Sequence, residues 1–208
     1  EDMFAWYEND GAADPSFSAN TITTSADSPR KVYAADIDSD GDLDVLSAST
    51  YDDKIAWYES DGAADPSFTA RTITTSADGA FGVYAADIDN DGDMDVLSAS
   101  QEDDKVAWYE NDGAADPSFS ANTITTSADG ARSVYAADID SDGDLDVLSA
   151  SAVDDKIAWY ESAPDNTVPT ITGVSLAANN ATIAVTMSEA VYNTCLLYTS
   201  PSPRDATL

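Results

Sequence analysis

Aspartate stands at every second position in three short segments: DIDSDGDLD at residues 36–44, DIDNDGDMD at 87–95 and DIDSDGDLD at 138–146. Each segment begins 51 residues after the one before, so the chain is built on a repeated unit. Five carboxylates within nine residues repel one another strongly unless a cation lies among them. Alternate side chains of such a loop turn inward, and a glycine at its middle supplies the sharp bend. A hard cation taking six to eight oxygen ligands suits the arrangement, and calcium is the expected ion. One acidic turn of this kind could simply be solvated; three in fixed register argue for the ion, with about three Ca²⁺ bound, one per loop.

Asp36, Asp38 and Asp40 occupy loop positions one, three and five, and Gly41 follows them. Asp42, at position seven, is expected to offer its backbone carbonyl, and Asp44, at position nine, its carboxylate. The same roles fall to Asp87, Asp89, Asp91, Asp93 and Asp95, then to Asp138, Asp140, Asp142, Asp144 and Asp146. An EF-hand opens in the same way but needs a bidentate glutamate at its twelfth position and helices on both sides. Position twelve here is Ser47, Ser98 or Ser149, and the flanks VYAADI and DVLSAS are β-branched and aromatic without helical period. The EF-hand reading therefore fails.

A second feature keeps the same spacing. AWYE recurs at Ala5, Ala56, Ala107 and Ala158, and four strand-like stretches fit in each unit: VYAAD, DVLSAS, KVAWYE and ANTITTSA in one copy. NDG and a following proline mark the turn before the last stretch. Four strands in a repeat of this length predict an all-β fold, a partial β-propeller of four-stranded blades. The alanine-rich first stretch suits the crowded innermost strand. Trp57, Trp108 and Trp159 are expected to pack between blades, with Trp6 in an incomplete one. Sugar stacking is the alternative use of their indoles.

These loops and their strands resemble the FG-GAP/VCBS repeat family, which includes the calcium-binding blades of integrin α-subunit propellers and many secreted bacterial proteins. The resemblance covers roughly residues 1–162. It implies that each ion braces the turn between a blade's first two strands. Activity is left open by it, because the family serves adhesion, sugar binding and enzyme-appended modules.

The expected organisation is a partial blade at residues 1–27, blades at 28–78, 79–129 and 130–162, and a linker at 163–169. The start of an Ig-like domain is expected at 170–194, with TITGVSL and TIAVTM as two strands about an AANN turn. CLLYTSPSPRD, at 195–205, back-translates to a transposase-based sequencing adapter, so residues 195–208 are excluded from fold reasoning. The only cysteine, Cys195, then says nothing of redox compartment. The chain is expected to be an arc of a larger ring.

Forty acidic residues stand against eight basic ones, for a net charge of −32. Such a surface repels nucleic acid and anionic membranes, and no apolar run reaches the length of a membrane span. With 43% hydrophobic residues, four Trp and ten Tyr, the chain is no disordered acidic tail. There is no His and no nucleophile or phosphate-loop motif, and close carboxylate pairs recur in every blade. Asp52 and Asp53, Asp103 and Asp104, Asp154 and Asp155 are such pairs, expected as solvated turn residues. No enzyme is expected in this chain. Copies differ mainly at residues 28–31 and 50–51 and their equivalents, on the blade face opposite the aspartate loops. Arg30, Lys31, Tyr51, Phe81 and Arg132 stand out there. The expected function is a calcium-braced extracellular adhesion or recognition module with a protein or glycan ligand; the alternative is a carbohydrate-binding propeller. Calcium loops of extracellular affinity place the chain at the cell surface or beyond.

Overall fold

Period-two alternation in KIAWYES and its copies, rich in β-branched and aromatic residues, favours strand wherever Asp-Gly and Pro punctuation allows. The computed structural model describes residues 2–162, together with the strands at 171–176 and 183–187. Among the described residues there is no helix.

Thirteen strands fill the first compact unit, Glu1–Ala163. A two-stranded sheet pairs β1 (Phe4–Asn9) with β2 (Phe17–Thr23). The next is a four-stranded antiparallel sheet of β3 (Pro29–Ala35), β4 (Asp44–Ser49), β5 (Lys54–Ser60) and β6 (Phe68–Thr74), in that order. The following blade repeats it with β7 (Ala80–Ala86), β8 (Asp95–Ser100), β9 (Lys105–Asn111) and β10 (Phe119–Thr125). Three strands complete the unit: β11 (Ala131–Ala137), β12 (Asp146–Ser151) and β13 (Lys156–Tyr160). In the second unit, Pro164–Leu208, β14 (Ile171–Leu176) pairs antiparallel with β15 (Ile183–Met187). The two expected strands are present there, whereas the AANN turn, the linker and the adapter-like segment lie outside the described residues.

Neighbouring blades meet through their first strands: β7 contacts both β3 and β11. First strands are therefore innermost and fourth strands outermost, as in a propeller arc. Trp57 is 2% exposed, in a core that joins Leu46 and Ile55 of its own blade to Ala80, Val83 and Ala85 of the next. Trp108 is half-buried against Ala131, Val134, Ala136 and Val147 of the blade that follows it. Both indoles serve blade packing, as expected. Trp159 remains 47% exposed, on β13. Tyr33, Tyr84 and Tyr135, one from each inner strand, pack in tilted pairs with ring centroids 4.7 and 4.6 Å apart. Burial, reinforced by its two neighbours, pushes the Tyr84 hydroxyl well above the usual tyrosine range.

Two details depart from expectation. The inner strands begin earlier than VYAAD, and each contains a bulge. Pro29 pairs with Ser49 and Lys31 with Ala48, leaving Arg30 as the extra residue; Phe81 and Arg132 are the extra residues of β7 and β11. The recurring aspartate pairs are also not simply solvated. Asp53 and Asp104 adopt φ of 52° and 56°, and their Oδ1 atoms accept the N–H of Gly79 and Gly130, each at 2.9 Å. Their carbonyls accept the N–H of Ala77 and Ala128. The second aspartate thus ties its blade to the connection entering the next. Its predecessor (Asp52, Asp103 or Asp154) pairs with the lysine two residues on. Such left-handed φ values favour Asp, Asn and Gly.

Candidate metal centre

Each aspartate loop joins the end of an inner strand to the start of the next, so every copy opens at the same end of its blade. Self-capping shapes it. In the first copy Gly41 N–H donates to Asp36 Oδ2 at 3.0 Å, Asp40 N–H to Asp36 Oδ1 at 3.1 Å, and Asp42 N–H to Asp40 Oδ1 at 2.9 Å. The bonds from Gly92 and Gly143 to Asp87 and Asp138 repeat the pattern. Gly41, Gly92 and Gly143 have φ of 99°, 101° and 106°, which any L side chain would occupy only with strain.

Carboxylate oxygens converge in each loop. Asp36, Asp38 and Asp40 bring one oxygen each within 4.8 Å of one another; Asp87, Asp89 and Asp95 do so in the second loop, and Asp138, Asp140 and Asp146 in the third. The position-three carboxyls (Asp38, Asp89 and Asp140) are pushed up, first by burial and next by the charge of Asp40, Asp91 and Asp142. Asp87 Oδ1 is buried without a hydrogen-bond partner. An orphaned acceptor among converging carboxylates fits a hard, oxygen-seeking cation.

The position-nine aspartates, expected as ligands, hold the loop by hydrogen bonds. Asp44, Asp95 and Asp146 are 1%, 0% and 1% exposed. One oxygen of each accepts the N–H of Ile37, Ile88 or Ile139 inside its own loop, at 3.0 Å. The other accepts the N–H of Ser60 or Asn111, the last residue of the third strand, or of Ser162 just past it, at 2.8–2.9 Å. This carboxylate clamps the loop to the turn that leads from the third strand. Burial pushes Asp44 and Asp95 up to about 6, against the pull of those N–H donors. At Asp146 burial also raises the carboxyl, but the donors Ser162 and Ile139 outweigh it and the net shift is downward. Fewer strands surround Asp146, whose sheet has three.

Position seven points elsewhere. Asp42 lies over Gly62 and Asp93 over Gly113, where any Cβ would collide with the carboxylate. Asp144 Oδ1 accepts Asn90 Nδ2 at 3.2 Å, linking the second and third loops. These side chains stand outside the carboxylate clusters. Asp44, Asp91 and Asp142 are likewise outside the three-membered clusters.

Two supports have no analogue in the expected ligand set. Asn111, 2% exposed, donates from Nδ2 to Ile37 O at 2.9 Å and Met94 O at 3.0 Å, stitching the loop of one blade to the next. Asp10, Asp61 and Asp112 each accept a hydroxyl and an N–H from the serine six residues on, closing the DGAADPS turn. The strict recurrence of the heptapeptide DGAADPS was the available signal.

At the opposite blade end the structure brings Arg30, Phe81 and Arg132 together, while Lys31 and Tyr51 are exposed beside them. Thr50 N–H donates to Ser28 O and Tyr51 N–H to Asp27 O, so the two variable stretches form one surface.

A profile of the FG-GAP-like repeat matches residues 1–47, 36–98 and 88–149. No curated protein matches the chain.

Proposed function

The chain belongs to the FG-GAP-like repeat family, and from that premise we propose that it is a calcium-braced, non-catalytic recognition module. FG-GAP-like repeats point to β-propeller-type extracellular recognition modules in general, and no helix among the described residues is long and apolar enough to cross a membrane. The observation that carries the calcium reading is the convergence of three carboxylate oxygens in all three loops, at one end of the blades. Calcium bound there would relieve the mutual repulsion of the aspartates and hold the turn between a blade's first and second strands. The ion's work is structural. The variable opposite face then carries recognition on a rigid frame.

An adhesion role on a protein partner is preferred to a lectin role, because Trp57 is fully committed to blade packing and Trp108 is half-buried there, so the indoles do not repeat as exposed sugar platforms from blade to blade; Trp159, 47% exposed, is the exception. Linkage sets the size of the effect: each filled site adds about 2.7 kcal/mol at a hundredfold excess of calcium over Kd. Thermal melting of the full chain in calcium, magnesium and EGTA tests the bracing. A melting temperature raised by calcium alone supports it, and identical melts in all three would overturn it. A glycan array probed with the calcium-loaded chain tests the recognition class, where saturable sugar binding would transfer the assignment to a lectin.

A further inference from the structure

The bulges of β3, β7 and β11 place Arg30, Phe81 and Arg132 as extra residues at matching points of three consecutive inner strands. A bulge re-aims its side chain, and here the three meet. Arg30 Cζ lies 5.5 Å and Arg132 Cζ 5.2 Å from the Phe81 ring centroid. Arg30 is fixed further: its Nε donates to Thr50 Oγ1 at 3.0 Å, and that hydroxyl donates to Ala80 O of the next blade at 3.0 Å. Five strand residues separate each member of this row from its aspartate loop, about 20 Å at the usual rise.

The charges around it are informative. Among the described residues, Lys54, Arg71, Lys105 and Lys156 each pair with a carboxylate, whereas Arg30, Lys31 and Arg132 make no ion pair. In a chain of net charge −32, the unpaired cations of the described residues are gathered at one end of the inner strands. Both guanidiniums are exposed and held by an aromatic ring, so little ordering remains to be done when a ligand arrives.

We propose that the row Arg30, Phe81, Arg132 binds a carboxylate side chain on an otherwise uncharged segment of a partner protein. This rests on the recognition reading above and names its contact. A guanidinium fork matches a carboxylate in two parallel hydrogen bonds. Arginine and aromatic residues are the types that dominate protein–protein hot spots. Tyr51 and Val153, 73% and 66% exposed, flank the row and supply apolar contact. Nucleic acid or another polyanion fits poorly, because its charges would extend beyond the row onto an acidic surface.

The test is an NMR titration of the ¹⁵N-labelled, calcium-loaded full chain with a blocked pentapeptide bearing one central aspartate. Its asparagine twin and methyl glucuronide serve as comparison probes. The Nε–H resonances of Arg30 and Arg132 should move with the aspartate peptide, and the twin should bind about tenfold more weakly or worse, the loss of one charge-assisted contact. Arg132→Gln should weaken the peptide by a similar factor without lowering the melting temperature; Arg30→Gln provides the same reading should Arg132→Gln disturb the fold. Equal responses to the two peptides, or no response, would overturn the site. Peptide binding that moves other resonances and ignores both variants would keep the recognition reading and overturn this contact. Methyl glucuronide acting at lower concentration than the peptide would overturn the protein source of the carboxylate.

Discussion

Replacing Asp95 by asparagine separates the clamp that this residue forms from the calcium ligand that it is proposed to be. Asp95 is 0% exposed, with Oδ1 accepting Asn111 N–H at 2.8 Å and Oδ2 accepting Ile88 N–H at 3.0 Å. Asparagine keeps the shape but turns an NH₂ toward one of these donors. One charge-assisted bond is lost and a buried N–H is left unpaired, a cost of about 2–4 kcal/mol. For a chain of this size that lowers the melting temperature by about 5–15 °C. Asp91→Asn is the control. Asp91 is exposed, and its Oδ1 accepts Asp93 N–H at 2.9 Å, a bond that an amide oxygen preserves. Melting both variants across a wide calcium range is the assay. A large excess of calcium should restore Asp91→Asn to the parent's melting temperature by mass action, yet leave Asp95→Asn short of it. Full restoration of Asp95→Asn by calcium would show that Asp95 is a ligand only, and the clamp argument would be wrong.

Trp57→Ala should destabilise the chain by about 3–5 kcal/mol, because its indole is the largest fully buried side chain between two blades; urea unfolding would measure it. Asp104→Ala removes the acceptor for Gly130 N–H and puts a β-carbon residue without a local hydrogen bond at φ 56°, so a loss of about 1–3 kcal/mol is expected, with Asp104→Gly costing less. Asp61 and Asp112 should titrate below the ordinary value of 3.8, since the hydroxyls of Ser67 and Ser118 and then backbone N–H groups stabilise their charged forms. A depressed carboxyl stabilises the fold above its unfolded pKa, and that support is lost as pH falls through the lower folded value. Carboxyl NMR would follow this, and Ser67→Ala should return Asp61 toward 3.8.

Strand order and loop placement could be read from the chain because the signals are local and repeated. The aspartate ladder with Gly41, Gly92 and Gly143 requires a bend at one place, and AWYE recurs at one spacing. The role of Trp57 and Trp108 followed from the same logic, as a bulky apolar residue on a strand must find a partner sheet. Other features depend on partners distant in sequence. Asn111 looks like an ordinary turn asparagine, yet its amide reaches Ile37 O in the preceding blade. Asp53 and Asp104 read as hydrophilic turn residues until the next blade's entry is seen to bond to them. Phe81 differs from its counterparts Arg30 and Arg132, and only the three bulges show that the difference creates a contact. In the loops, the pattern sets position seven apart from position nine, but nothing local shows that the position-nine carboxylate is buried and bonds a residue 16 positions further along the chain.

Isothermal titration of the full chain with calcium, against magnesium and with the melting temperature followed in parallel, decides whether the aspartate loops hold ions. Saturation near three calcium ions per chain is expected, with a melting temperature that climbs with calcium and a stoichiometry reduced by one when Asp87 and Asp89 are both replaced by alanine. Absence of calcium-specific heat together with unchanged melting would contradict the calcium-braced fold.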